Sequence, residues 1–316
     1  MGDKYYREWQ KRKKVKRSPV YRIGMIILGI LILAVSFYIR SQDEDEDIIY
    51  SSSQNAQGFY YYSLVAENTY YAPLNGLEGD ALKEAMHTLL NTNFEPTSYG
   101  DAREYLEDAD RSLDDPTKVW NIYDGVLAPS EWDAVSWHRE HVWPNSRLGL
   151  ERVDNIDISI ASDLHNLRAV TPSVNSRRGD RFFSDGSGEA QITDDGGFYP
   201  GDEHKGDVAR IIFYMVVMYE ELELRDDNLD DLDAYTPEGA IMGILTTLLE
   251  WHKEDPVSDF ERARNQSIYE AQNNRNPFID KPEYAHLIFE EKTIEDLKPV
   301  ATLSLWIEKW SDMIHE

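Results

Sequence analysis

The decapeptide Trp137–Ser146, WHREHVWPNS, sets the carboxylate of Glu140 directly before the imidazole of His141, between two tryptophans. A carboxylate holds a hard divalent cation through oxygen, and a histidine kept off the metal takes a proton from water near neutral pH. Further along, Asn175 offers an amide oxygen as a second ligand. One carboxylate and one neutral amide leave a bound Mg2+ net positive, so a phosphodiester oxygen can complete its shell and be polarised there. The order Glu-His, with no second histidine four residues on, excludes the zincin helix, which requires HExxH. By spacing alone, a Glu-His pair beside tryptophan is more often structural.

Three elements must bring these residues together. Val135–Val142 alternates weakly and reads as a strand that Pro144 ends, and Leu164–Val170 alternates better as a second strand. Thr171 then caps a short helix with proline at its first position, Ser173–Arg178 follows, and Gly179 closes it. Neighbouring strand residues point to opposite faces, so Glu140 and His141 share a site only where the strand ends or bends. Around this unit, residues 79–90 predict a core-facing helix after an Asp80 cap, and 207–219 and 238–252 predict two buried helices. The acidic run 221–233 lacks the glycine of a calcium loop and reads as a solvated connector. His87 and the tyrosines Tyr60, Tyr61, Tyr62, Tyr70 and Tyr71 read as packing residues.

Composition sets the frame. Residues 23–39 form an uncharged apolar run of 17, preceded by nine Lys or Arg against two acids, a leader of +7. This pattern predicts a membrane-spanning signal anchor with a cytoplasmic N-terminus and the remainder outside. Bulky Phe37 after Ala34-Val35-Ser36 makes a poor cleavage site, and secretion after cleavage is the alternative. The absence of cysteine excludes disulfides, thiolate zinc sites and a cysteine nucleophile. Setting aside the leader and Arg40, residues 41–316 carry −35 of the net −27, which argues against a general positive field for nucleic acid. Arg139 to Arg181 is different, with seven arginines against six acids, and arginine's planar fork suits phosphate. The predicted organisation is a basic leader (1–22), an anchor (23–39), a polar tether (40–58), a catalytic domain (59–296) and a C-terminal helix (297–316).

REHVWPNS followed by SDLHNLRAVTPSVNSRRGDRFF resembles the bacterial endonuclease I family, periplasmic, secreted or surface nucleases with a ββα-metal core. The resemblance runs on through SYGDAREYL, HKGDVARIIFYMVVMY, LLEWHKEDPVSDFERARN and NNRNPFID, covering roughly residues 59–289. It implies an α+β class: a mostly helical ectodomain around that core, preceded here by the transmembrane helix. It further implies His141 as general base and Glu140 and Asn175 as ligands of Mg2+, with Mn2+ or Ca2+ as alternatives. Asp163 and His165 match the family's D-x-H stretch and are expected to support the site, as is Arg139. The family's phosphate-stabilising arginine lies in a cysteine-containing loop that 145–162 does not reproduce. Arg178, one turn beyond Asn175, is the choice on geometry, with Arg147 or Arg152 behind it. Arg147, Arg177 and Arg181 are expected to contact substrate, whereas Arg210, Glu261, Arg262 and Arg264 are expected in structural salt bridges.

The expected activity is sequence-nonspecific hydrolysis of DNA, RNA or both to 5′-phosphate ends. No obligate protein partner is evident in the sequence. The rival expectations are a surface receptor that captures nucleic acid without cutting it, and an acidic anchor for cations or wall polymers.

Overall fold

The computed structural model describes residues 53–150, 152–226 and 240–299. The leader, the apolar run 23–39, most of the tether and residues 300–316 of the tail lie outside the described residues. Among those described, no helix is long and apolar enough to cross a membrane.

The fold is mixed α+β. Helix α1 (Gly79–Asn91) buries Leu82, Met86 and Leu90 along one stripe. Its N-cap is Glu78, and Asp80 lies in the first turn instead of capping it. After α2 (Ala102–Ala109) come β1 (Lys118–Trp120) and β2 (Leu127–Pro129), which pair antiparallel. Strands β3 (His138–His141) and β4 (Leu167–Val170) pair antiparallel with His138 opposite Val170 and His141 opposite Leu167. Helix α3 (Pro172–Arg178) leaves β4 directly. Strands β5 (Gln191–Ile192) and β6 (Phe198–Tyr199) form a small hairpin. Helix α4 (Lys205–Met218) is buried from Gly206 onward and continuously apolar or aromatic from Ile211, so it forms the axis of the main core. Strands β7 (Leu222–Arg225) and β8 (Ala240–Ile244) pair parallel, and four helices complete the body: α5 (Leu245–Glu254), α6 (Asp259–Gln272), α7 (Pro277–Asp280) and α8 (Glu283–Phe289).

Several boundaries differ from the sequence expectation, each for a local reason. The first strand begins at His138 because the Asp133 carboxylate accepts from the amides of Val135 and Ser136, closing a turn where alternation suggested extension. The second begins at Leu167 because Asp163–Leu167 is a turn, in which Asn166 N–H donates to the Asp163 carbonyl and Leu167 N–H to the Leu164 carbonyl. Residues 238–252 are not one helix: among those described, 240–244 form a strand paired with 222–225 and the helix starts only at 245. The acidic connector likewise opens as strand β7. At the other end, Gln54 bridges Tyr60 and donates to the Lys253 carbonyl, so part of the stretch read as tether packs on the body.

The β3–β4 hairpin is the seam between two apolar clusters. Val142, Trp143, Val170 and Val174 pack into the main core around α4, whereas Trp137, Leu167 and Ala169 pack with Leu106, Val119 and Ile268. Each of its large buried side chains contributes on the order of 2–3 kcal/mol, which fixes the hairpin against slipping by one residue. Beneath it, Arg168 reaches Asp110 and Asp207, Arg264 reaches Asp110, and Arg210 forks onto Glu261, all buried. Arg210, Glu261 and Arg264 thus form structural salt bridges, and Arg262 pairs with Asp259 at the surface. His87 Nδ1 faces the Val217 carbonyl, and Tyr60 and Tyr71 are buried.

Candidate active site

Strand β3 ends at His141 because Asn166, opposite Val142 in the register, gives its own amide to the Asp163 carbonyl and leaves the last ladder bond one-sided. Val142 N–H donates to the Asn166 carbonyl and Trp143 N–H to the Asn166 side-chain oxygen at 2.7 Å. Pro144 then leads into a 3-10 turn, Asn145–Arg147. At this strand end Glu140 and His141 both line one cleft of about 1140 Å³, together with Asn175 and Arg178 from α3. Helix α3 starts as its sequence signals require, with Pro172 at its first turn and Gly179 closing it at φ 57°. The Thr171 hydroxyl makes no cap bond and accepts from Asn121 Nδ2 at 3.1 Å.

The Glu140 carboxylate is buried and held at one oxygen. Tyr123 Oη–H donates to Oε1 at 2.8 Å, and Arg178 Nη1 lies 3.4 Å from the same atom. Oε2 accepts no hydrogen bond from a described residue. Burial raises the Glu140 pKa, and Arg178 and then Tyr123 oppose that rise. A divalent cation at Oε2 would oppose it further, so the charge balance of this carboxylate suits an ion. The side chain of Asn175 makes no hydrogen bond to a described residue and leaves its amide oxygen available to the same cleft. No cluster of three or more His, Cys, Asp or Glu that could hold a metal occurs among the described residues. One carboxylate and one amide instead match a hard cation that keeps several waters.

His141 stands on the other side of the strand end. Its Nε2 lies 2.8 Å from the Ala161 carbonyl, which can only accept, so Nε2 carries the proton and Nδ1 keeps its lone pair. The ring stacks on Tyr99, with centroids 5.1 Å apart and planes at 24°. Burial lowers the pKa of His141 to about 4, with Arg139 and Arg178 adding to the fall and the Ala161 bond opposing it. The imidazole is therefore neutral at pH 7 with an acceptor nitrogen, the state a general base needs.

The arginines divide by position. Arg178 is fully buried and donates to the carbonyls of His141, Val142 and Gly179, so it braces the strand end. Arg139 lies over the Tyr99 ring at 3.6 Å and donates to the Tyr99 carbonyl and to Asn155 Oδ1. Arg147, Arg177 and Arg181 do not line the cleft. Arg147 donates to the Asp180 carbonyl and lies over Phe182, Arg177 donates to the Ala190 carbonyl, and Arg181 to those of Arg177 and Arg178. Arg152 does line it, exposed, and no described residue hydrogen-bonds or ion-pairs with it.

Asp163 and His165 do not line the cleft. Asp163 accepts from Tyr214, Tyr219, Gln272 and the His165 amide, while His165 Nε2–H faces the Asn274 carbonyl at 3.3 Å. Both are buried and tie the β4 turn to α4 and α6. The sequence reading missed Tyr123, Tyr99, Asn166 and the Ala161 carbonyl. Tyr123 adopts φ 79°, which a bulky residue takes only when its surroundings enforce it, and that conformation delivers its hydroxyl to Glu140. Tyr99 and Gly100 lie in the SYGDAREYL stretch, the one signal that could have pointed to them.

Comparison with known proteins adds three findings. The family model described as Endonuclease I matches residues 78–283. The chain is 36% identical over 236 residues to the extracellular ribonuclease of Bacillus amyloliquefaciens, covering 70% of this chain and 78% of that protein. It is 36% identical over 237 residues to the extracellular ribonuclease of Bacillus subtilis (strain 168), with the same 70% and 78% covered.

Proposed function

The chain belongs to the endonuclease I family of phosphodiester-hydrolysing nucleases, and on that premise we propose that it is a divalent-metal-dependent, sequence-nonspecific endonuclease worked from the Glu140–His141–Asn175 cleft. The observation that carries this reading is the commitment of His141 Nε2 to the Ala161 carbonyl, which leaves Nδ1 as an acceptor in the cleft that Glu140 and Asn175 also line. The hairpin and α3 would then form the family's ββα-metal core.

In this reading His141 Nδ1 takes a proton from the attacking water, and Ala161 and Tyr99 hold the ring in that orientation. Glu140 and Asn175 would hold Mg2+, or Mn2+ or Ca2+ in its place, through their side-chain oxygens. Bound there, the cation supplies stabilisation of the charge that develops on the phosphate and the leaving oxygen. Arg152 suits contact with a substrate phosphate better than Arg178, which is enclosed by carbonyls and by Glu140. Cleavage leaves 5′-phosphate ends, and contacts to phosphate alone give little sequence preference. The substrate is RNA, DNA or both, and the names of the two relatives support RNA. They also support an extracytoplasmic location, with the apolar run 23–39 as the tether to the membrane.

Cleavage measured across a Mg2+ titration tests the ligand pair. Glu140→Gln and Asn175→Ala are expected to need about 10- to 100-fold more Mg2+ for half-maximal rate. Half-maximal Mg2+ unchanged in both variants would overturn the assignment.

A further inference from the structure

Beside the outer wall of the cleft stand two apolar side chains that neither line it nor take part in the chemistry above. Ile156 and Ile158 are 86% and 60% exposed, next to Asn155, which lines the cleft. Their loop is pinned rather than loose. Gly100 N–H donates to the Asn155 carbonyl at 2.7 Å and Tyr99 N–H to the Asp157 carbonyl at 2.9 Å. Arg139 holds Asn155 Oδ1 at 3.2 Å, and Asp157 Oδ2 accepts from the Asp154 amide at 2.6 Å. A fixed loop thus holds two large aliphatic side chains in water beside the cleft.

We infer that Ile156 and Ile158 form a subsite for unpaired nucleobases next to the phosphodiester being cut. The inference rests on the nuclease reading of the cleft. The charge beside them selects the occupant: Asp157 lies between the isoleucines and Asp154 shortly before the first, so further phosphate is repelled there and the contact is made by an uncharged part of the strand. Aliphatic side chains contact every base through its apolar face, which keeps recognition independent of sequence. In a duplex the base faces are stacked and the second backbone would approach these acids, so unpaired strands are preferred.

Two measurements on the full-length chain decide this. The first is fluorescence anisotropy of a labelled oligoribonucleotide and of the matching oligodeoxynucleotide, each alone and fully paired, with Mg2+ in a His141→Ala background. The unpaired strands are expected to bind about tenfold more tightly than the duplexes, and Ile156→Ser/Ile158→Ser to remove most of that difference. The second is the ratio of unpaired-strand cleavage to hydrolysis of the base-free ester bis(4-nitrophenyl) phosphate, expected to fall about tenfold in the same double variant. Equal binding of strands and duplexes, an unchanged ratio, or self-association that the substitutions abolish would each overturn the subsite. If the parent chain hydrolyses neither substrate with Mg2+, the catalytic reading fails while the anisotropy still decides the subsite.

Discussion

Tyr123 and Arg178 grip one oxygen of Glu140, and the other, which accepts no hydrogen bond from a described residue, is the proposed ligand of the ion. Removing the tyrosine hydroxyl should therefore loosen metal binding without touching the base. Tyr123→Phe is expected to raise the Mg2+ needed for half-maximal cleavage about tenfold while the rate at saturating Mg2+ stays near wild type, as a Mg2+ titration would read. An unchanged requirement would show that Tyr123 serves packing alone. Two of the three arginines that line the cleft, Arg178 and Arg152, should separate cleanly. Arg178→Ala leaves Glu140 buried without its partner and is expected to cost about 3–5 kcal/mol in urea unfolding. Arg152→Ala, at an exposed position, is expected to leave the unfolding midpoint in place and lower kcat/KM about 10- to 100-fold. Equal behaviour of the two variants would contradict this division. Residue chemistry and the family resemblance pointed to Glu140, His141 and Asn175, which the fold brings to one cleft, but they did not settle the choice among arginines. Seven guanidinium groups in 43 residues look alike in a sequence, and only burial and partners tell a brace from a free cation.

The hairpin and α3 were readable because several signals agree there: alternation in 167–170, Thr-Pro at the helix start and Gly179 at its end. Residues 238–252 misled because a short apolar run satisfies both periods, and the pairing of 240–244 with 222–225 is a tertiary choice that local pattern does not carry. The cleft's outer wall was invisible for the same reason, since it depends on the contact of Gly100 with Asn155 across the fold. A Cβ at Gly100 would lie 2.7 Å from the Asn155 carbonyl oxygen, too close for either backbone to stay in place. Gly100→Ala is expected to displace the wall, lowering stability by about 1–3 kcal/mol and raising KM more than it lowers kcat. Wild-type stability and kinetics in this variant would show that the wall does not shape the cleft.

At the scale of the molecule, the acidic surface and the buried charges act on different properties. The excess of acids is expected to confine nucleic acid to the cleft, whereas groups inside the core set the response to pH. Burial depresses His165 and His252 well below the usual histidine range, with neighbouring cations adding to the fall. A depressed folded-state value means that the unfolded chain binds the extra proton, so this stability is complete above about pH 6.5 and is lost as pH falls below it. His252→Gln, which can still donate to the Pro282 carbonyl, is expected to flatten the decline of stability between pH 7 and 5 by up to about 1.4 kcal/mol per pH unit. Parallel pH profiles for the two chains would contradict this. The catalytic account itself turns on His141. Matched RNA and DNA substrates should be cut by the wild-type chain with Mg2+ and not with EDTA, and His141→Ala, folded by circular dichroism, should lose at least about 100-fold on both. Mg2+-dependent cleavage by His141→Ala within about threefold of wild type on either substrate would contradict the account.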